Sequence, residues 1–131
     1  MTKSHKQDYI NYRINTAKET LNAARCLAKE SHWNSVTNRL YYVCFYAISA
    51  LLYKHDIITR SHSGLKHQFT YNFVKTGLID KKLAQVYVEL FDYRQKADYA
   101  DFVDFDESRT LPLFTPVEEL LRRIENLINE K

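Results

Sequence analysis

Only two glycines and two prolines interrupt this chain of 131 residues, so tight turns are scarce and long helices are the economical way to use the sequence. An all-β sandwich, which needs a turn every few residues, is excluded on that ground. Apolar residues recur at spacings of three and four, the signature of one helix face. Over residues 7–30 the stripe is Ile10, Ile14, Ala17, Leu21, Ala24 and Ala28, with Leu27 beside it. Ser31 is placed to cap a second helix whose stripe runs Val36, Leu40, Val43, Cys44, Ala47, Ile48, Leu51 and Leu52. Residues 40–53 are apolar on nearly every side, so this helix is expected at the centre, touched by all the others.

The pattern breaks over residues 55–64, which read as a loop. A shorter helix then carries Leu65, Phe69, Phe73 and Val74, and Gly77 stands where a left-handed helix end belongs. Asp80 suits the cap of a fourth helix with Leu83, Val86, Tyr87, Leu90 and Phe91 facing inward. A mixed stretch over residues 100–114 follows. Thr115, Pro116 and Glu118 then spell a capping box before the last apolar stripe, Val117, Leu120, Leu121, Ile124 and Leu127 or Ile128. The expected architecture is all-α, an up-and-down bundle of about five helices without a sheet, in one domain over residues 1–131.

Charge and cysteine content bound the function classes. Nineteen basic against sixteen acidic residues leave a net charge of +3, too mild to oblige nucleic-acid binding. Cys26 and Cys44 lie inside apolar-periodic stretches without CxxC spacing, so buried free thiols are the expectation and no metal site is assigned. The polar start of the chain lacks the apolar core of a secretory signal. The longest apolar run is shorter than the roughly 20 residues a spanning helix needs, and it carries four tyrosines. A reducing cytoplasmic setting is the expectation. The informative excess is aromatic, with ten tyrosines and seven phenylalanines. That is more ring surface than a small bundle readily hides, which points to a homodimer.

No glycine-rich phosphate loop, nucleophile elbow or HExxH pattern is present, and no cofactor is implied. The five histidines are scattered. His62 and His67 can meet near the start of the third helix, but two histidines make a poor metal site. Asp98, Asp101, Asp104, Asp106 and Glu107 form an acidic cluster, best read as a solvated loop, with a magnesium site as the sharper and weaker reading. Two constellations rise above this background. One is Arg39-Leu40-Tyr41-Tyr42 with Phe45, followed by Ser61-His62-Ser63-Gly64. The other is Arg94-Gln95-Lys96-Ala97-Asp98-Tyr99. A guanidinium at the edge of an apolar run must find an anion or reach water. Arg94 and Asp98, four apart, share a helix face, and Tyr99 approaches them only where the helix ends.

R-x-Y-Y-x-x-F, S-H-S-G, F-x-x-x-F-V-K-x-G and R-Q-K-A-D-Y, in that order and with matching helix spacing, resemble the small stand-alone bacterial and archaeal branch of the HEPN superfamily (higher eukaryotes and prokaryotes nucleotide-binding). The resemblance covers residues 12–128. It implies a helical bundle that dimerises with motif-bearing clefts facing each other. It also implies metal-independent ribonuclease activity in many members, often as toxins, some paired with a minimal nucleotidyltransferase as antitoxin. The ribonuclease branch carries an arginine, four to six residues, then a histidine. Here Arg94 fills the first position and Tyr99 stands where the histidine would. Tyrosine titrates near about 10 and histidine near about 6.5, so the departure weighs on catalysis more than on anion binding.

Three readings follow. In the first, the chain is a nucleotide- or RNA-binding module of a toxin–antitoxin or defence-type system, with Arg39, Tyr42, His62 and Arg94 as ligand-binding residues and a nucleotidyltransferase as partner. In the second it is an atypical metal-independent ribonuclease using Arg94, Asp98 and Tyr99. In the third it is a structural helical interaction domain, with Arg94–Asp98 a plain helix salt bridge.

Overall fold

The computed structural model describes residues 3–99 and 104–130, and these form an all-helical bundle with no strand among the described residues. Five principal helices account for it: α1 (Lys3–Lys29), α2 (Trp33–Lys54), α3 (His62–Phe69), α4 (Lys81–Tyr99) and, after a four-residue helix α5 (Glu107–Thr110), the last helix α6 (Phe114–Asn129). A π-helical turn, Thr70–Val74, extends α3, and a 3-10 turn, Leu111–Leu113, joins α5 to α6.

Helix α2 is the centre, as its all-round apolar character demands. Eleven of its residues are buried, and it packs against α1, α3, α4, α5 and α6. Leu40, Val43, Ala47, Ile48, Ala50 and Leu51 have no exposed surface at all, so truncating any large one would leave a cavity costing about 2–5 kcal/mol. Helix α1 runs antiparallel to α2, with Tyr9 on Tyr53 and Arg13 on Tyr46. Helix α6 lies antiparallel to α1, fastened by Arg25–Glu118 at 3.1 Å and Lys18–Glu125 at 3.0 Å. At the far end, the ammonium of Lys54 donates to the carbonyls of Leu127, Ile128 and Glu130 at 2.7–2.9 Å. A cation thus closes the C-terminus of α6, where the helix dipole is negative.

The helix ends show where short-range rules hold. Gly77 is left-handed (φ 83°), and the Asp80 carboxylate accepts the Lys82 N–H at 2.9 Å, both as expected. Ser31 does not cap α2. Its own φ is +61°, and the bonds Ser31 N–H to Ala28 O and His32 N–H to Leu27 O make it the left-handed terminator of α1. The cap position falls to His32, which makes no side-chain capping bond. Thr115 is not a cap either, because the chain is already helical when it arrives there. The working cap lies upstream at Asp106, which accepts from the Arg109 N–H at 2.9 Å and the Ser108 hydroxyl at 2.8 Å. Those two donors hold its carboxyl below the usual range. Part of the expected acidic loop is therefore helix. Cys44 is buried as expected, whereas Cys26 sits on the outer side of α1 and is exposed.

Candidate functional site

The S-H-S-G run is first of all a helix start. The Ser61 hydroxyl accepts the N–H of Gly64 at 2.9 Å and so caps α3. A Cβ on Gly64 would stand 2.8 Å from that hydroxyl, so a glycine is what lets the serine approach. The turn places His62 at the first helical position, facing α2.

There it meets Tyr41. The Tyr41 hydroxyl lies 2.7 Å from His62 Nδ1, and the Tyr41 ring is only 1% exposed. Burial pushes the phenol above its ordinary value, while the neighbouring Arg94 guanidinium pulls in the opposite direction and loses. The phenol therefore stays protonated at neutral pH, and the hydrogen bond it shares with Nδ1 leaves Nε2 as the imidazole nitrogen not engaged by Tyr41. Phe45 (4.7 Å between centroids) and Tyr42 (6.1 Å, edge-on) complete the wall around the imidazole.

Arg94 enters from the last turns of α4. Its Cζ stands 5.5 Å from the centre of the Tyr41 ring, a cation–π distance. Both Arg94 and His62 are half-buried, so the site holds a guanidinium and an imidazole on one buried phenol with an open side. Behind Tyr41, Tyr87 stacks at 6.2 Å. The Tyr87 hydroxyl is buried without a hydrogen-bond partner among the described residues, and burial raises its pKa above the ordinary tyrosine value.

Of the residues singled out in the sequence, Tyr42, His62 and Arg94 thus gather around Tyr41. Arg39 does not join them: it is exposed and lines a separate shallow depression with Leu27, Asn34, Ser35 and Asn38. Asp98 and Tyr99 continue the backbone of α4, but their side chains, like residues 100–103 of the acidic stretch, lie outside the described residues. His67 is exposed and stacks on Tyr71, away from the pairing with Tyr41. Among the described residues no group of three or more His, Cys, Asp or Glu is gathered to hold a metal ion, and no helix is long and apolar enough to cross a membrane. The organising residue is Tyr41, the first tyrosine of R-x-Y-Y, which lies in that motif without standing among the expected ligand-binding residues; its hydroxyl inside an otherwise apolar stripe is the further signal.

Chemically, a half-buried guanidinium offers planar, bidentate hydrogen bonding to a phosphate. An imidazole of fixed tautomer can accept or deliver a proton near neutral pH. Aromatic edges and faces beside them suit a nucleobase.

The HEPN domain model matches residues 10–130. A UPF0332 protein of Thermotoga maritima is 35% identical over 127 residues, covering 97% of this chain and 96% of the relative. Two proteins of Methanocaldococcus jannaschii, each named "Putative toxin", are also similar. One is 35% identical over 86 residues, covering 66% of this chain and 58% of its own length. The other is 26% identical over 124 residues, covering 95% and 92%.

Proposed function

The chain belongs to the HEPN family, and on that premise we propose that it is a nucleotide- or RNA-binding module of a toxin–antitoxin or defence-type system. One observation carries the reading: Arg94 and His62 both stand against a single buried phenol, Tyr41, at 5.5 Å from its ring centre and 2.7 Å from its hydroxyl. A salt bridge on a solvated helix needs no such arrangement. In this reading Arg94 grips a phosphate, His62 and Tyr42 line the cleft, and Arg39 offers a second, outlying cation. The toxin names of the two archaeal relatives favour this setting. A minimal nucleotidyltransferase is the partner such a system calls for, and two copies of the chain with clefts facing form the working unit.

The test is Arg94→Ala against a panel of nucleotides and short RNAs. The proposal expects near-normal stability and a loss of about 1.5–3 kcal/mol in binding, the worth of one charge-assisted contact. Arg94→Lys rescues only part, since it keeps the charge and loses the planar fork. Equal affinity of wild type and Arg94→Ala would leave only the structural reading. Sedimentation at micromolar concentration checks the dimer, which a lone 15.6 kDa species would remove.

A second reading, the metal-independent ribonuclease, is favoured by the His62 geometry. The spacing after Arg94 lacks a histidine, yet α3 delivers one to the same cleft. With its Nδ1 proton held on the Tyr41 hydroxyl, His62 takes the proton of a ribose 2′-hydroxyl at Nε2 as that oxygen forms the new bond to phosphorus. The bond to the 5′-oxygen breaks, and the imidazole returns the proton to that leaving oxygen, leaving a 2′,3′-cyclic phosphate. Arg94 steadies the phosphoryl charge, with Asp98 and Tyr99 contributed by the same helix end. Labelled RNA incubated in chelator decides: cleavage that His62→Ala abolishes supports the enzyme, and retention without cleavage supports the binding module.

A further inference from the structure

We infer that Arg13, with the tyrosines around it, is a second contact point for single-stranded RNA, so that a strand held at Arg94 and His62 runs on along the α1–α2 face. The inference rests on the proposed binding function and extends it from a single phosphate to a track.

Three cations of α1 are paired with acids, and Arg13 is held differently. Lys6, Lys18 and Arg25 each sit on a carboxylate: Asp56 at 2.7 Å, Glu125 at 3.0 Å and Glu118 at 3.1 Å. Arg13 has no acidic partner among the described residues. It is half-buried and lies between two rings, with Cζ 5.3 Å from the centre of Tyr9 and 5.4 Å from that of Tyr46. Its Nε donates to the Tyr9 hydroxyl at 2.9 Å. The clamp immobilises the guanidinium while leaving its two Nη groups without an acceptor among the described residues. A guanidinium fixed beside two rings, with its terminal donors uncommitted among the described residues, matches a phosphodiester beside a stacked base.

The rings form a path from this point to the cleft. Tyr9 packs on Tyr53 at 4.3 Å; Tyr46 lies 5.8 Å from Tyr42, and Tyr42 lies 6.1 Å from His62. All of these are half-buried, so the path has an open side. From Tyr42 to Tyr46, the α2 ring that Arg13 touches, helix α2 rises about 6 Å at about 1.5 Å per residue, a step of about two nucleotides at about 3.4 Å each. Positive charge at both ends with rings between them complements a polyanion carrying bases. The rings between the charges suit stacked bases better than they suit a purely acidic or a purely apolar protein surface.

The experiment compares a dinucleotide with a ten-residue single-stranded RNA by fluorescence anisotropy, over a salt series, for wild type and Arg13→Ala. The expected result is unchanged affinity for the dinucleotide, about tenfold weaker binding of the ten-mer, and a salt slope smaller by about 0.7, the loss of one phosphate contact. Should Arg13→Ala fail to fold, Arg13→Gln keeps the packing and carries the same expectation. Equal ten-mer affinity and salt slope in wild type and variant, with dinucleotide binding intact, overturns the track and leaves the Arg94 site standing. Equal weakening of both RNAs places the effect in the fold and overturns it too. Failure of the wild type to bind either RNA removes site and track together. A variant that alters sedimentation and leaves RNA affinity unchanged assigns the face to contact between copies of the chain, again overturning the inference.

Discussion

The Tyr41 hydroxyl and His62 Nδ1 share a hydrogen bond of 2.7 Å, tying the most buried tyrosine of the central helix to the first residue of α3. The bond satisfies a phenol that burial would otherwise leave unpaired, and it orients the imidazole at the mouth of the cleft. Few contacts in the molecule join core packing to candidate chemistry so directly.

Tyr41→Phe deletes the hydroxyl and keeps the ring. The expected cost is about 1 kcal/mol of unfolding free energy, the net worth of one hydrogen bond. The nitrogen chemical shifts of the His62 ring should then move from a single neutral tautomer toward a mixture. An unchanged tautomer balance would show that Tyr41 does not orient the imidazole.

Tyr87→Phe should act in the opposite sense. Among the described residues the fully buried Tyr87 hydroxyl finds no hydrogen-bond partner, so it carries a desolvation cost with no return there. Removing it while the ring keeps its contacts with Tyr41, Phe69 and Phe91 should stabilise the fold by about 1 kcal/mol. Chemical denaturation at neutral pH measures this directly, and a lower midpoint would contradict it.

Lys54→Met tests the cap on α6. The methylene stem is largely preserved, while the ammonium that serves three carbonyls is lost. A destabilisation of about 2 kcal/mol is expected from charged hydrogen bonds at a helix C-terminus. The C-terminal amides of α6 should exchange faster with solvent. Unaltered exchange there would mean that packing alone holds the helix end.

The two thiols should separate cleanly in reactivity and in pH response. Cys26 is exposed and Cys44 buried, so one thiol reacts with a disulfide reagent in the native protein and the second only on unfolding. Burial pushes the Cys44 thiol up from 9.0 to about 12. In the unfolded chain it ionises from about pH 9, so its contribution is complete below that pH and is lost as pH climbs toward the folded value. Tyr41 and Tyr87 are raised in the same direction from 10.0. Stability should therefore fall on the alkaline side, beginning near pH 9, and Cys44→Ala should delay the onset. A flat profile to pH 11 would refute the assignment.

How far the sequence reached can be read from particular residues. The three-and-four spacing determined which segments are helices and which face each one buries. A helix in water has only one way to hide such a stripe, and local hydrogen bonding makes the element itself. The same local logic placed the left-handed Gly77 and the Asp80 cap. It also carried the HEPN motifs, because their order along the chain is a property of the sequence alone. It failed at Ser31 and Thr115, where a capping residue type meets a chain already committed by the preceding helix. It failed at Cys26 too, where an apolar neighbourhood in sequence faces outward in space. Tertiary structure decided the site. Tyr41 and His62 are 21 positions apart and Arg94 is on a third helix, so their meeting depends on how α2, α3 and α4 rotate and slide against one another. Those rotations are set by the summed packing of the whole core, which no local spacing encodes. The same packing left Arg39 outside the cleft and stacked Arg13 between two tyrosines, one of its own helix and one of α2.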